Sequence, residues 1–458
     1  MKDPAFQSAK RQAALIRRGD IGCLELLDHY IGRVERLDGR LNAVVARDFS
    51  RARKRARALD RRGAVADAGA LHGVPMTVKE SFNLAGLPTT WGVPERRDHV
   101  AAADALAVDR LQAHGAVVFG KTNVPIMLGD WQSFNDVYGV TVNPWDAACS
   151  PGGSSGGGAA ALAAGLTGLE VGSDIGGSVR QPAHACGVFG HKPTWGLLPS
   201  RGHSMDPEMA GMADIAVIGP LARSAEDLPL AMAALAGPDP LDSAMTMTLP
   251  APRFTGLKEL RVAVWPADPA TRTDDEITAK LHSLARHLRG EGARVSLTAR
   301  PKFDPAAAYQ LYRGLLGAAL SAAAAPAADA LTHSAFLRMN ERRMRMRRAW
   351  SAFFQDWDVL LCPAHATAAL PHRHDASPRE LRIAVNGEDM AWDDMLFWPG
   401  ITGAFHLPAS VAPLGMTRHG LPLGVQIVGP LYGDRATIAV ARLLERSWLG
   451  FSAPPGWN

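Results

Sequence analysis

The sequence predicts an α/β fold with a mainly parallel sheet covered by helices on both faces. Two observations carry this. Short β-type runs, VPMTV (74–78), AVVFG (116–120), LRVAVW (260–265), DVLLC (358–362) and VQIVG (425–429), alternate with helix-like segments. The composition, 47% hydrophobic and 21% charged over 458 residues, supplies enough apolar surface for a core and excludes disorder as the dominant state.

The elements follow in order. Ala13, Leu15 and Ile16, then Leu24, Leu26, Leu27, Tyr30, Ile31 and Val34, recur at helical spacing, so residues 1–65 read as helices. Arg51 to Arg62 is densely basic and reads as a solvated helix face, as does Glu341 to Arg348. Ala101 to His114 reads as a helix closed by Gly115. The Gly- and Ala-rich stretch Gly156 to Gly172 reads as a buried helix. Residues 235–256, rich in Pro, Asp and Thr, read as a surface connection, and 303–350 as a helical excursion from the sheet. Residues 356–458 return to the same sheet. With no repeat and no clean linker, residues 1–458 are expected to form a single domain around a core segment at 71–240.

Several classes are excluded by composition and spacing. The four cysteines (Cys23, Cys149, Cys186, Cys362) lie far apart without a CxxC pair, as expected of buried reduced thiols. A formal charge of +4 is small for this length and gives no argument for nucleic acid. No stretch is long and apolar enough to suggest a membrane span, and MKDPAFQSAKRQ leads into no signal-type segment, so a cytoplasmic protein is expected. His184, His191 and His203 lack HExxH or similar spacing, so neither a metal nor another cofactor is expected.

The chemistry concentrates in residues 149–182, CSPGGSSGGGAAALAAGLTGLEVGSDIGGSVRQP. The loop Gly152 to Gly158 opens a helix, where backbone N–H groups converge and stabilise anions and oxyanions. In the second loop, Asp174 to Ser178, small residues let backbone amides approach a substrate carbonyl. A phosphate loop would need GxxxxGK[ST], and no Lys follows the glycines. Gly152-Gly153-Ser154-Ser155-Gly156 satisfies GxSxG, but a nucleophile elbow needs a strand just before it, and PWDAACSP is not one. An SxxK site is excluded, because no Lys has Ser three positions earlier.

Taken together, GGSSGG…GSDIGGSVRQPA, Leu71–Gly92, Gly115–Asp146, Cys186–Thr194, Asp214–Asp239 and Gly420–Asp434 closely resemble the amidase signature family. The resemblance implies a large mixed, mainly parallel twisted sheet and a Ser–cis-Ser–Lys triad. Residue by residue, the family's lysine falls on Lys79, its bridging serine on Ser154 and its nucleophile on Ser178. Its oxyanion amides fall on Ile175, Gly176, Gly177 and Ser178, and its supporting positions on Ser155, Asp174 and Arg180. The chemistry agrees: a serine needs a base, and a lysine serves as one only when desolvation favours its neutral amine. Val74, Met76 and Val78 flank Lys79 in that sense. Departures from the family's pattern fall at Ile126, Ser173 and Glu170, and put the substrate pocket rather than the triad in question.

The resemblance also implies where the pocket lies: Met127, Leu128, Gly129, Trp131 and Phe134, then Trp195, Met205, Met209 and Met212. Gly202 to Gly211 reads as a Met-bearing lip, and Met adapts to varied apolar ligands. No Arg or Lys occurs in 123–146, so Arg201 is the nearest candidate partner for a carboxylate substrate. The expectation is a monomeric or homodimeric hydrolase of small-molecule linear amides with apolar acyl or aryl groups, extending to esters and carbamates, as in aryl-acylamidase or urethane-cleaving members. The alternative is a non-catalytic or glutaminase-type component of an amidotransferase complex.

Overall fold

Short runs rich in branched and apolar side chains form strands here, because that shape packs well on a sheet covered on both faces. The computed structural model describes residues 3–63, 69–206, 209, 211–242, 244–321, 331–378 and 380–457. Its strands are β1 (Val44–Arg47), β2 (Pro75–Lys79), β3 (Val117–Thr122), β4 (Phe134–Asn135), β5 (Gly139–Val140), β6 (Glu170–Asp174), β7 (Phe189–Lys192) and β8 (Val217–Ala222). They continue with β9 (Arg261–Val264), β10 (Arg294–Ser296), β11 (Val359–Pro363), β12 (Arg382–Val385), β13 (Glu388–Ala391), β14 (Ala409–Met416) and β15 (Pro422–Val428).

Eleven of them form one sheet in the order β1-β3-β2-β6-β8-β7-β14-β15-β11-β9-β10, and β4-β5 and β12-β13 are separate hairpins. The large mixed sheet of an α/β fold is therefore present. Its parallel pairing is confined to two blocks, β3-β2-β6 and β11-β9-β10. The strands between the blocks, and β1 at the edge, pair antiparallel. Tight connections such as that from Met416 to Pro422 suit antiparallel neighbours, whereas parallel ones need a long crossover.

Two elements differ from the expectation. The first 60 residues include β1 among the helices Ala9–Arg17, Cys23–Leu37 and Phe49–Arg62, because Val44 and Ala46 find a sheet edge at β3. The stretch Gly156 to Gly172 is helical only over Gly156–Ala163. Gly165 takes a left-handed φ of +67° just past that helix, and the chain turns into β6, which lies between β2 and β8.

Alternation along the strands sorts the core. Val74, Met76, Val78 and Val171 belong to one apolar cluster, with the helices Leu106–Ala113, Leu228–Leu235 and Asp275–Gly290. Thr77, Lys79 and Glu170 therefore point to the other face, which the helix Gly156–Ala163 covers. A third cluster joins the helices Pro305–Ser321 and His333–Asp356 to Trp265, Trp398 and Phe405. Residues 322–330, inside the expected excursion, lie outside the described residues.

Candidate active site

β2 and β6 run parallel, so Lys79 and Asp174, the last residues of each, lie at the same edge of the sheet. The two Gly-rich loops meet there. Ser155 N–H donates to the carbonyl of Ser178 at 3.1 Å, and Gly153 N–H donates to Gln181 Oε1 at 3.0 Å. The peptide Gly153–Ser154 is cis. Gly153 admits no side chain, because a Cβ there would lie 2.4 Å from the carbonyl oxygen of Asp130.

Lys79 is fully buried and stands 2.6 Å from Ser154 Oγ and 2.9 Å from Ser173 Oγ. Burial pushes its pKa down to about 7, against the attraction of the Asp174 and Glu170 carboxyls. A lysine in that range is available as a neutral amine near physiological pH, as proton transfer to and from a serine requires. Glu170 lies on the same face, accepting hydrogen bonds from Thr77 and, at 3.1 Å, from Thr122; burial pushes it up to about 8.

Asp174 organises the second loop. Burial raises its pKa, but the Arg180 guanidinium outweighs this and holds the carboxyl at about 2. The pair is bidentate, Arg180 Nη2 to Oδ1 at 2.7 Å and Nε to Oδ2 at 2.9 Å, and both side chains are fully buried. The remaining Arg180 nitrogen donates to Pro399 O, Thr402 Oγ1 and Gln426 Oε1. Gly177 N–H donates to Asp174 Oδ1 at 2.9 Å, so it is committed within the chain. Among the described residues, the amides of Ile175, Gly176 and Ser178 have no such acceptor. The loop's carbonyls are held from outside: Tyr312 OH donates to Ile175 O at 3.1 Å and Trp131 Nε1 to Gly176 O at 3.2 Å. Ser178 itself is 7% exposed.

The sequence-predicted pocket residues divide. Trp131 is buried against His365 and Trp392, under the Ile175–Ser178 loop it supports. Met127, about half exposed, and Leu128 sit on a short turn with left-handed φ values, followed by Gly129. Phe134 stacks on His374, with centroids 3.9 Å apart. Trp195 stacks on His406 and lines a cavity that none of Lys79, Ser154 and Ser178 lines. In the lip, Met209 accepts a hydrogen bond from Ser204, Met205 and Met212 are half-buried, and His203 packs on Phe82 and Trp91 while meeting Ser81 Oγ at 2.9 Å. Pro207, Glu208 and Ala210 lie outside the described residues. Arg201 pairs with Asp239. His184 bonds backbone groups of Gly424 and Thr367, and His191 sits between Ser410 and Asp434. Four contributors escaped the sequence reading: Ser173 as a Lys79 partner, Gln181, Tyr312 and Gln426.

The family model for Amidase matches residues 25–331 and 320–438, and the chain belongs to the amidase signature family of amide hydrolases. It is similar to an indoleacetamide hydrolase of Bradyrhizobium diazoefficiens, 33% identical over 467 residues that cover 97% of this chain and 87% of the relative. It is also similar to a glutamyl-tRNA(Gln) amidotransferase component of Deinococcus radiodurans, 32% identical over 96% of this chain and 97% of the relative. Among solved structures, the fold matches a bacterial aryl acylamidase of the amidase signature family with a TM-score of 0.83, at 24% identity and coverage of 98% and 97%. No helix among the described residues is long and apolar enough to cross a membrane.

Proposed function

We propose that this chain hydrolyses linear amides with apolar acyl or aryl groups, and carries the same chemistry to esters and carbamates, through an acyl-enzyme on Ser178. The observation that carries the reading is Lys79: a fully buried amine, held near neutral pKa, 2.6 Å from the hydroxyl of Ser154. Lys79 takes a proton from Ser154 as Ser154 takes one from Ser178, and Ser178 Oγ attacks the substrate carbonyl. The carbonyl oxygen gains negative charge, which the free amides of Ile175, Gly176 and Ser178 stabilise. The proton returns through Ser154 to the leaving nitrogen, and water then releases the acid by the same relay.

The apolar preference draws on Trp131 and Leu396, apolar side chains beside Gly176, and on Arg201 being engaged with Asp239. The indoleacetamide hydrolase relative, whose named substrate carries an aromatic ring, fits the same preference. A second reading, a glutaminase-type component of an amidotransferase, draws on the amidotransferase relative. Turnover by the purified chain alone separates them. Release of aniline from an anilide and from an N-aryl carbamate, lost in Ser178→Ala, supports the hydrolase; preference for glutamine favours the amidotransferase reading.

A further inference from the structure

The basic run Glu341 to Arg348 is only in part a solvated helix face. Asn340, Arg343, Met344 and Arg347, spaced three and four apart, line one side of a cavity of about 410 Å³. Trp195, Met247 and Leu431 supply apolar wall from other elements. Trp195 follows β7 and Leu431 follows β15, and both strands run in the direction of β2 and β6. The cavity therefore opens at the same sheet edge as Lys79, without sharing a residue with it.

The two arginines differ in their charge balance. Arg343 Nη1 donates to both oxygens of Asp214, at 2.8 and 2.6 Å, so its charge is matched. Arg347 is half-buried, its hydrogen bond goes to the sulfur of Met344 at 3.7 Å, and no carboxylate pairs with it among the described residues. Burial and the neighbouring Arg343 charge both push its pKa down, so its cation is under-compensated where it stands. A guanidinium fork beside thioether and indole surface matches one kind of ligand: a planar anion at one end and hydrocarbon at the other.

We propose that this cavity is a second binding site, separate from Ser178, that takes a monocarboxylate with an aromatic or short alkyl body, its carboxylate on Arg347. Its volume lies in the range of small-molecule pockets.

Calorimetric titration of phenylacetate into the full-length protein tests this, comparing wild type with Arg347→Gln, Arg347→Lys and Arg345→Gln. Arg345 is exposed and paired with Glu341 on the same helix, so it controls for general loss of positive charge. Saturable binding to wild type is expected, weakened about tenfold or more in Arg347→Gln, because a charge-assisted pair is lost. Arg347→Lys falls between, and Arg345→Gln binds as wild type. Equal affinity in Arg347→Gln and wild type, with unchanged melting temperatures, overturns the proposal. So does the absence of saturable binding to wild type up to about 10 mM.

Discussion

Tyr312 donates its hydroxyl hydrogen to the carbonyl of Ile175 at 3.1 Å, across 137 residues of sequence. A helix of the excursion thus holds a peptide of the Asp174–Ser178 loop in place. Trp131 does the same for Gly176 from the opposite side of the chain order. Tethering the loop's carbonyls fixes its peptide planes, and under the proposed mechanism this sets the direction of the amides before substrate arrives.

Tyr312→Phe removes one tether and leaves the ring packed. The expected result is a fall in kcat of about five- to tenfold, equivalent to one neutral hydrogen bond of about 1 kcal/mol, with KM little changed. Steady-state kinetics on an anilide checks it. A loss confined to KM would mean that the tether serves binding alone.

The pH dependence follows from Lys79. Its protonated form cannot accept a proton, so kcat/KM should rise with pH through about 7 and level off above. A profile that stays flat from about pH 5 to about pH 9 would remove Lys79 as the titrating base.

Glu170 predicts a stability effect of definite sign. With its native pKa raised to about 8, the folded state binds more protons than the unfolded one between the ordinary carboxyl range and that value. Its contribution to stability is therefore present at low pH and declines as pH rises through this window. Glu170→Gln keeps an uncharged polar group beside Thr77 and Thr122. Its melting temperature relative to wild type should climb as pH is raised from about 5 to about 9. A constant difference would contradict the assignment.

Asp174→Asn leaves the Arg180 cation buried without its counter-charge. Breaking such a pair from one side costs about 3–5 kcal/mol, so a large drop in urea midpoint is expected along with lost activity. The wild-type pair resists acid: Asp174 stabilises the fold above the ordinary carboxyl pKa, and that contribution is lost only as pH falls through about 2.

The sequence points to Lys79, Ser154 and Ser178 through the motifs that resemble the family, and the fold brings the segments that carry them together. The α/β class is legible because β2, β3 and β11 are apolar runs of strand length. β6 is not, because its sequence, EVGSD, holds a single branched side chain, Val171, and follows a Gly- and Ala-rich helix closely. It becomes a strand through its neighbours β2 and β8. Gln181 and Gln426 stand inside the motifs that resemble the family, but nothing local marks their roles, and Tyr312 lies outside every motif; each acts by a contact that only the tertiary fold creates. Trp195 shows the converse, an aromatic residue beside a family motif that the fold directs into another cavity.

The roles proposed for Ser178 as nucleophile and Ser154 as relay are tested most directly by peptide mass mapping after reaction with a sulfonyl fluoride. A single adduct on Ser178 is expected, absent from Ser178→Ala and strongly slowed in Lys79→Ala. An adduct on Ser154, with Ser178 unmodified, would contradict both roles.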